Sequence, residues 1–261
     1  MRQLGEDTTV LDYMTSPVYT VHESEKLATA ERRMAELGVS ALPVVDDTGQ
    51  LGGVITQSDL LRVGRMRSTR RGLALELPDS RLREHMTSPV EVTPPTSTLP
   101  EAARRIVKRH VHRLYVTRNR RAEGVLTTRD LMRAIADARV RKPVMEIAAG
   151  AIVSVESSDP LSLAVDRLVA SHHRALVVLD GGWPVGVFAQ REALAAKDAA
   201  TGAPVDEYMS PSIVCVPPDY PAHRAAARAA ATRPRVVLVT RGPEVLGLLT
   251  GIDFARLVAD P

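Results

Sequence analysis

The chain has 261 residues, 44% hydrophobic and 25% charged, with a formal net charge of +3, the composition of a soluble globular protein rather than a disordered one. Its apolar runs, such as Val236 to Val239, are strand-sized and far below the roughly 20 residues that span a bilayer, and the opening MRQLGEDTTVLDYM holds no apolar stretch that would serve as a secretion signal. The single cysteine, Cys215, excludes an internal disulfide framework and fits a reducing cytoplasm.

After a short leader (residues 1–8), DYMTSP introduces an extended piece from Val18 to Val21. A polar turn follows, and then Leu27, Ala30, Met34 and Leu37 recur every three or four residues, the spacing of one apolar helix face. The run Ala41-Leu-Pro-Val-Val45 reads as a strand, a turn follows, and a second strand closes on Gly53-Val-Ile-Thr56. A last helix starts at that threonine and runs through Leu60-Leu61. An arginine-rich linker (residues 67–81) comes next, and the order restarts with EHMTSP before Val90. The second pass has an extended piece at Val90 to Val92, a helix with Leu99, Ala102 and Ile106, a strand at Leu114 to Val116 and Gly124-Val-Leu-Thr127. The third begins with VMEIAAGAIV and continues through Ile152 to Val155, Leu161, Ala164 and Leu168, and Ala175 to Leu179. The fourth begins with EYMSP and has Ile213 to Val216, an alanine-rich helix at Ala222 to Ala231 whose face is poorly defined, and Val236 to Val239.

Four closing segments align: Gly53-Val-Ile-Thr-Gln-Ser-Asp59, Gly124-Val-Leu-Thr-Thr-Arg-Asp130, Gly186-Val-Phe-Ala-Gln-Arg-Glu192 and Gly247-Leu-Leu-Thr-Gly-Ile-Asp253. Their acids stand 71, 62 and 61 residues apart. A fixed period of this kind marks a repeat architecture. The expected fold is α/β, four β-α-β-β-α units at residues 9–66, 82–138, 142–198 and 203–260. Their near-continuous apolar strands suit sheets covered by helices. A unit of some sixty residues is marginal alone, so the units are expected to pair.

Thr56-Gln-Ser-Asp59 admits two readings. A threonine with an acid three residues later is a capping box, the hydroxyl and carboxylate serving free N–H groups of the helix entrance. Alternatively, the acceptor-only carboxylate takes both hydroxyls of a sugar diol, with the threonine hydroxyl beside the sugar. The preceding glycine would then let a ligand approach the backbone. The two readings are compatible. Thr127/Asp130 and Thr250/Asp253 repeat the pair, whereas the third unit has Ala189 and Glu192, which predicts a weak or empty site there.

The four Gly-hydrophobic-hydrophobic-Thr-x-x-Asp pieces and the leading Met-Thr/Ser-Pro resemble the CBS domain, the repeat named for cystathionine beta-synthase, over nearly the whole chain. The resemblance implies two Bateman modules, each a pair of units about a pseudo-twofold axis, in the layout of the gamma subunit of AMP-activated protein kinase. It implies an adenosine nucleotide (AMP, ADP, ATP or a related adenosyl ligand) in clefts between paired units, and regulation rather than catalysis. By the same resemblance Asp59, Asp130 and Asp253, and weakly Glu192, would hold ribose, with Thr56, Thr127 and Thr250 beside it. The far wall of each cleft would come from the partner unit. His112 and Arg113 would then face Asp59, His173 and Arg174 would face Asp253, and Arg235 would face Glu192. Ser40 alone would face Asp130, with Arg129 as a further phosphate contact. The adenine slot would use Val18, Thr20, Val39, Val92, Val111, Val153 and Val214.

Competing readings are a nucleic-acid binder using Arg65-Met-Arg-Ser-Thr-Arg-Arg71 and Arg118-Asn-Arg-Arg121, or a structural scaffold with vestigial clefts. Aromatic residues make up only 3% of the chain, too few for a stacking platform. His110-x-His112 and His172-His173 lack the cysteine or carboxylate that would complete a metal set, and no nucleophile motif such as G-x-S-x-G is present. The expectation is therefore a cytoplasmic protein with no catalytic cofactor and no membrane insertion. It would act through an unidentified protein partner or as a homodimer.

Overall fold

The computed structural model describes residues 8–69, 72–148, 152–170 and 175–260. The first unit runs β1 (Val21–His22), α1 (Leu27–Leu37), β2 (Ala41–Val45), β3 (Leu51–Thr56) and α2 (Gln57–Val63). A hairpin, β4 (Arg65–Thr69) and β5 (Gly72–Glu76), follows where a linker was expected. It accounts for the longer first spacing between acids. The second unit is β6 (Val92–Thr93), α3 (Leu99–Arg109), β7 (Arg113–Arg118), β8 (Arg121–Thr127) and α4 (Thr128–Asp137). The third is β9 (Ser154–Glu156), α5 (Leu161–Ala170), β10 (Ala175–Asp180), β11 (Trp183–Ala189) and α6 (Gln190–Ala195). The fourth is β12 (Ile213–Val216), α7 (Ala222–Thr232), β13 (Val236–Arg241), β14 (Glu244–Leu249) and α8 (Gly251–Ala259).

Each unit builds one three-stranded sheet in which the middle strand is parallel to the first and antiparallel to the third. The register slips once in every unit, at Val44/Val45, Val116/Thr117, Val178/Leu179 and Val239/Thr240. The irregularity therefore belongs to the repeat itself. The opening strands start later than the sequence suggests in the first three units, and only β12 coincides with its expected range.

The leading segments are exchanged between paired units. Residues before the first unit lie on the second: Val10 donates its N–H to Ser97 O at 2.8 Å, and Thr15 and Val125 exchange backbone hydrogen bonds at 2.9 and 3.0 Å. Residues before the second unit return the contact, Leu82 donating to Glu25 O at 2.9 Å and Thr87 pairing with Val54. The third and fourth units repeat the exchange through Val144 N to Tyr220 O at 2.9 Å and Val205 N to Asp159 O at 3.0 Å.

This exchange assigns the repeated glycine a role different from the expected one. A Cβ on Gly53 would lie 2.3 Å from Met86 Sδ, on Gly124 2.9 Å from Met14 Sδ, and on Gly186 2.6 Å from Met209 Sδ. The glycine seats the methionine of the partner's Met-Thr/Ser-Pro segment, so it is a packing contact and not a ligand approach. In the fourth unit Gly247 faces Ala148, the residue of VMEIAAGAIV that stands where the other leading segments have methionine.

The two modules meet mainly through their even units. Leu99, Ala102 and Ile106 of α3, Leu131, Ala134 and Ile135 of α4, the alanines of α7 and Phe254 of α8 form one continuous core. Ala222, Ala225, Ala226 and Ala229 are all buried. They mark the face that alanine's weak apolarity left undefined in the sequence, and their small side chains let α7 lie close on α4. The odd units keep separate cores, Leu27, Ala30 and Met34 in the first and Leu161, Ala164 and Phe188 in the third. Leu37, expected on the buried face of α1, is 37% exposed, being the last helical residue before the left-handed Gly38. The odd units are tied instead by Lys197, whose Nζ donates to Leu61 O at 2.6 Å, to Arg62 O at 3.1 Å and to Gly64 O. A cation there meets the unpaired carbonyls at the end of α2.

The Gly–Met fit yields a measurable coupling. Gly53→Ala is expected to lose about 1–3 kcal/mol through overpacking, and the loss should largely disappear when Met86→Ala is present. Urea unfolding of the four members of that cycle should show non-additivity of at least about 1 kcal/mol. Additive losses would mean that glycine is required there for another reason.

Candidate nucleotide-binding clefts

The threonine that ends β3, β8 and β14 is the N-cap of the next helix, with extended backbone at φ −121°, −119° and −112°. The acid three residues on folds back over the entrance. Asp59 Oδ2 accepts the N–H of Thr56 at 2.9 Å and its Oγ–H at 2.7 Å. Asp130 Oδ2 accepts the same groups of Thr127 at 2.6 and 2.7 Å, and Asp253 Oδ2 those of Thr250 at 2.7 and 2.8 Å. The capping reading is thus realised in three units.

The other carboxylate oxygen is also engaged. Oδ1 of Asp59, Asp130 and Asp253 pairs with Arg62, Arg133 and Arg256 at 2.9, 2.5 and 2.5 Å, each arginine one helical turn further on. The acids are buried, while the arginine side chains are half exposed. The pattern is Thr-x-x-Asp-x-x-Arg, written three times in the sequence, and reading only as far as the acid missed it. Arg62, Arg133 and Arg256 are the functional candidates that the sequence reading left out.

The partner-wall residues stand at the strand starts. Arg113 donates from Nη2 to Ser40 Oγ at 3.0 Å, joining the starts of β7 and β2 across the first module. His112 is exposed, and its carbonyl accepts the Thr128 N–H at 3.1 Å. Arg235 reaches Glu192, Nη2 to Oε1 at 3.2 Å. His173 and Arg174 lie outside the described residues.

Arg129, expected near the Asp130 cleft, stands among Arg233, Arg133 and Arg113. Partial desolvation, followed by the charge of Arg233, holds its guanidinium below the usual range. Arg233 belongs to the fourth unit, so this positive cluster crosses between modules. The entrances of α4 and α8 also touch there, since a Cβ on Gly251 would lie 2.4 Å from Thr128 Oγ1. Beside Arg113 on β7, the Tyr115 hydroxyl is enclosed, and burial pushes its pKa up.

The proposed adenine-slot residues are dispersed. Val18 is half buried, and Thr20 and Val39 are exposed. The Val92 carbonyl accepts from Arg105. Val111 packs on the core shared by the even units, and Val153 on that of the third unit. Val214 is buried in the shared core rather than open to a cleft. Ile152 and Ile213, one residue earlier than Val153 and Val214, pack on the cluster between the paired sheets of the second module. Strand alternation turns successive residues to opposite faces. Among the described residues no group of three or more His, Cys, Asp or Glu converges on a metal position, and no helix is long and apolar enough to cross a membrane.

The geometry ranks the contacts that hold each acid. Thr250→Val removes a hydroxyl donor and leaves a buried carboxylate short of a partner. It should lose about 1–2 kcal/mol in urea unfolding, whereas Arg256→Ala removes a half-exposed pair and should lose under about 1 kcal/mol. The reverse order would show that the arginine, not the cap, fixes the acid.

A family model described as the CBS domain matches residues 10–65, 82–137 and 205–260. The matched segments are the first, second and fourth units, those that keep threonine and aspartate. An uncharacterized 33.4 kDa protein in the ribosomal RNA operon of Thermofilum pendens is 25% identical over 202 residues, 72% of this chain and 64% of its own length. A homoserine O-acetyltransferase of Methanococcoides burtonii is 30% identical over 129 residues, 49% of this chain and 24% of its own. The chain thus spans about two thirds of the length of the first of these relatives and about a quarter of the second. The crystal structure of MJ1225 from Methanocaldococcus jannaschii, presented as a candidate archaeal homologue of g-AMPK, superposes over 96% of this chain and 99% of its own with TM-score 0.76 at 16% identity, a likeness of fold. With its family match covering more than half of its residues, the chain belongs to the CBS domain family.

Proposed function

We propose that this chain is a non-catalytic sensor that binds adenosine nucleotides between paired units and transmits occupancy through the contact between its two modules or to a protein partner. The observation that carries the reading is the threefold recurrence of a buried aspartate at a helix entrance. In the first module the partner unit supports it by sending Arg113 across to Ser40. A carboxylate offers about four acceptor positions. Two on Oδ2 are taken by threonine and one on Oδ1 by arginine. The fourth is the position proposed for a ligand, beside the half-exposed arginine. A ribose diol would take the open position and compete with the arginine for its own. The displaced guanidinium, planar and always charged, is suited to follow the ligand and pair with its phosphate. Membership of a repeat family whose units pair supports the same reading, as does the cationic cluster of Arg113, Arg129, Arg133 and Arg233. Of the clefts, those of Asp59 and Asp253 are proposed as the principal sites for ribose in the units that keep Thr and Asp.

Saturating AMP, ADP or ATP is expected to stabilise the fold, by about 2.7 kcal/mol at one hundred times Kd. Because the aspartates also cap helices, Asp59→Asn and Asp253→Asn will lower stability without ligand. Calorimetric affinity therefore decides the matter rather than melting temperature alone. Each replacement should weaken binding, by about tenfold or more when combined, while Arg62→Ala, which removes both a competitor for Asp59 and a phosphate partner, should weaken it less. Absence of any nucleotide effect, with salt-dependent binding of DNA in its place, would overturn the reading.

A further inference from the structure

Of the two arginine runs in the sequence, the fold accounts for one. Arg118 to Arg121 forms the turn between β7 and β8 and clasps the first unit. Arg118 pairs with Glu123 at 3.2 Å, Arg121 Nη2 donates to Thr48 O at 3.0 Å, and the Arg120 carbonyl accepts the Leu51 N–H at 2.8 Å. The run from Arg65 belongs instead to the hairpin β4–β5, which stands apart from the four sheets of the units. Charge is concentrated there. Residues 65–76 hold Arg65, Arg67, Arg70 and Arg71 against a single acid, Glu76. Of the chain's 34 basic and 31 acidic residues, 30 of each lie elsewhere, so this element alone carries the net charge of +3.

The base of the hairpin is anchored. Leu75 and Leu77 pack on the core of the first unit, and a Cβ on Gly64 would lie 2.6 Å from Leu75 Cδ1. Five register pairs run from Arg65↔Glu76 to Thr69↔Gly72, a ribbon about 17 Å long at the usual rise. Residues directly opposite in an antiparallel pair share a face. Arg65 and Arg67 therefore lie on one face with Thr69, Gly72, Ala74 and Glu76, and Leu75 belongs to the other, which is fixed to the core. Arg65 is exposed, and Arg70 and Arg71 lie outside the described residues. Among the described residues no third strand pairs with either edge. The arginine face thus has small residues beside it and, at its base, one acid.

We infer that the β4–β5 ribbon docks on double-stranded DNA, lying in the major groove with Arg65 and Arg67 on backbone phosphates. This function is separate from nucleotide sensing and does not rest on it. The major groove of B-DNA, about 12 Å wide, admits a two-stranded ribbon, and the guanidinium fork matches phosphate. Other polyanions fit less well. Single strands need aromatic platforms, and residues 65–76 contain no aromatic side chain. The major groove of duplex RNA is too deep and narrow to enter. An acidic protein segment would need apolar anchors at the centre of its interface, and a membrane surface would need apolar groups to insert. The arginine face has only Thr69, Gly72 and Ala74 to offer for either purpose. Contacts of this kind hold the backbone and read no sequence.

The test is fluorescence anisotropy of the full chain with a DNA duplex of about 20 base pairs, in NaCl from about 50 to about 200 mM. Binding should weaken about ten- to hundredfold over that range, the salt dependence of about two to four phosphate contacts. Arg65→Gln combined with Arg67→Gln should lower the salt slope by about two and weaken binding at the lowest salt about tenfold, with the melting temperature unchanged. Arg118→Gln combined with Arg120→Gln removes the same charge from the clasped run and should change affinity less than about twofold. An RNA duplex of the same sequence and polyglutamate should each bind about tenfold more weakly than the DNA. If the chain does not bind DNA at the lowest salt, or if the two double variants lose affinity equally, the inference fails. It fails also if RNA or polyglutamate binds as tightly as DNA, because the ribbon then acts as bare charge without regard to the groove.

Discussion

A carboxylate at a helix entrance has few acceptor positions, and their allocation governs both the fold and the chemistry of this chain. Asp59, Asp130 and Asp253 give one oxygen to the threonine that ends the preceding strand and the other to an arginine one turn along the helix. The first allocation fixes the corner between strand and helix. The second places a half-exposed cation over a buried anion. A group held this way is at once structural and poised for exchange: the cap is internal and short-ranged, while the arginine faces solvent, where its pairing with the acid is weak. The capping and sugar-binding readings of the motif therefore describe two different oxygens of one side chain.

The same economy appears between units. Exchanged leading segments mean that no unit completes its surface alone, because each takes the methionine or alanine preceding its partner against its own glycine. Pairing is thus built into the chain's course and does not depend on a ligand. Module-to-module contact is uneven by comparison. The even units share an apolar core, and hydrophobic burial of this kind is non-directional and tolerant of small shifts. The odd units are joined by Lys197 and the carbonyls at the end of α2, a contact whose strength depends on direction.

Much of the architecture was legible before any coordinates. The fourfold order, the face of α5 and the capping threonines follow from spacing alone, because they are set by contacts within a unit. Other features were hidden because they depend on a neighbour. The glycine reads as a ligand approach until Met86 and Met14 are known to arrive from the partner unit. The α7 face, a run of alanines at helical spacing, becomes decisive only once α4 lies on it. Val153 and Val214 pack on different cores from their neighbours Ile152 and Ile213, since alternation along a strand turns a shift of one residue into the opposite face. Arg62, Arg133 and Arg256 were legible and overlooked. The departure of the third unit, Ala189 and Glu192, is legible in the sequence, but the enclosure of Glu192 Oε2 emerges only from the fold.

Arg62 shows why the two ends of α2 cannot be treated separately. Its guanidinium holds Asp59 at the helix entrance, and its carbonyl accepts from Lys197 of the third unit at the helix exit. The helix has only seven residues, about 10 Å at the usual rise. One residue therefore touches both the acid of a cleft and the tie between modules. In the even half of the molecule the corresponding helices α4 and α8 are instead embedded in the shared core and meet at Thr128 and Gly251. Asp59 thus lies one helical turn from a directional polar contact, whereas Asp130 and Asp253 stand beside close-packed side chains. The fourfold sequence repeat has produced sites that are alike at the helix entrance and different in what lies behind them.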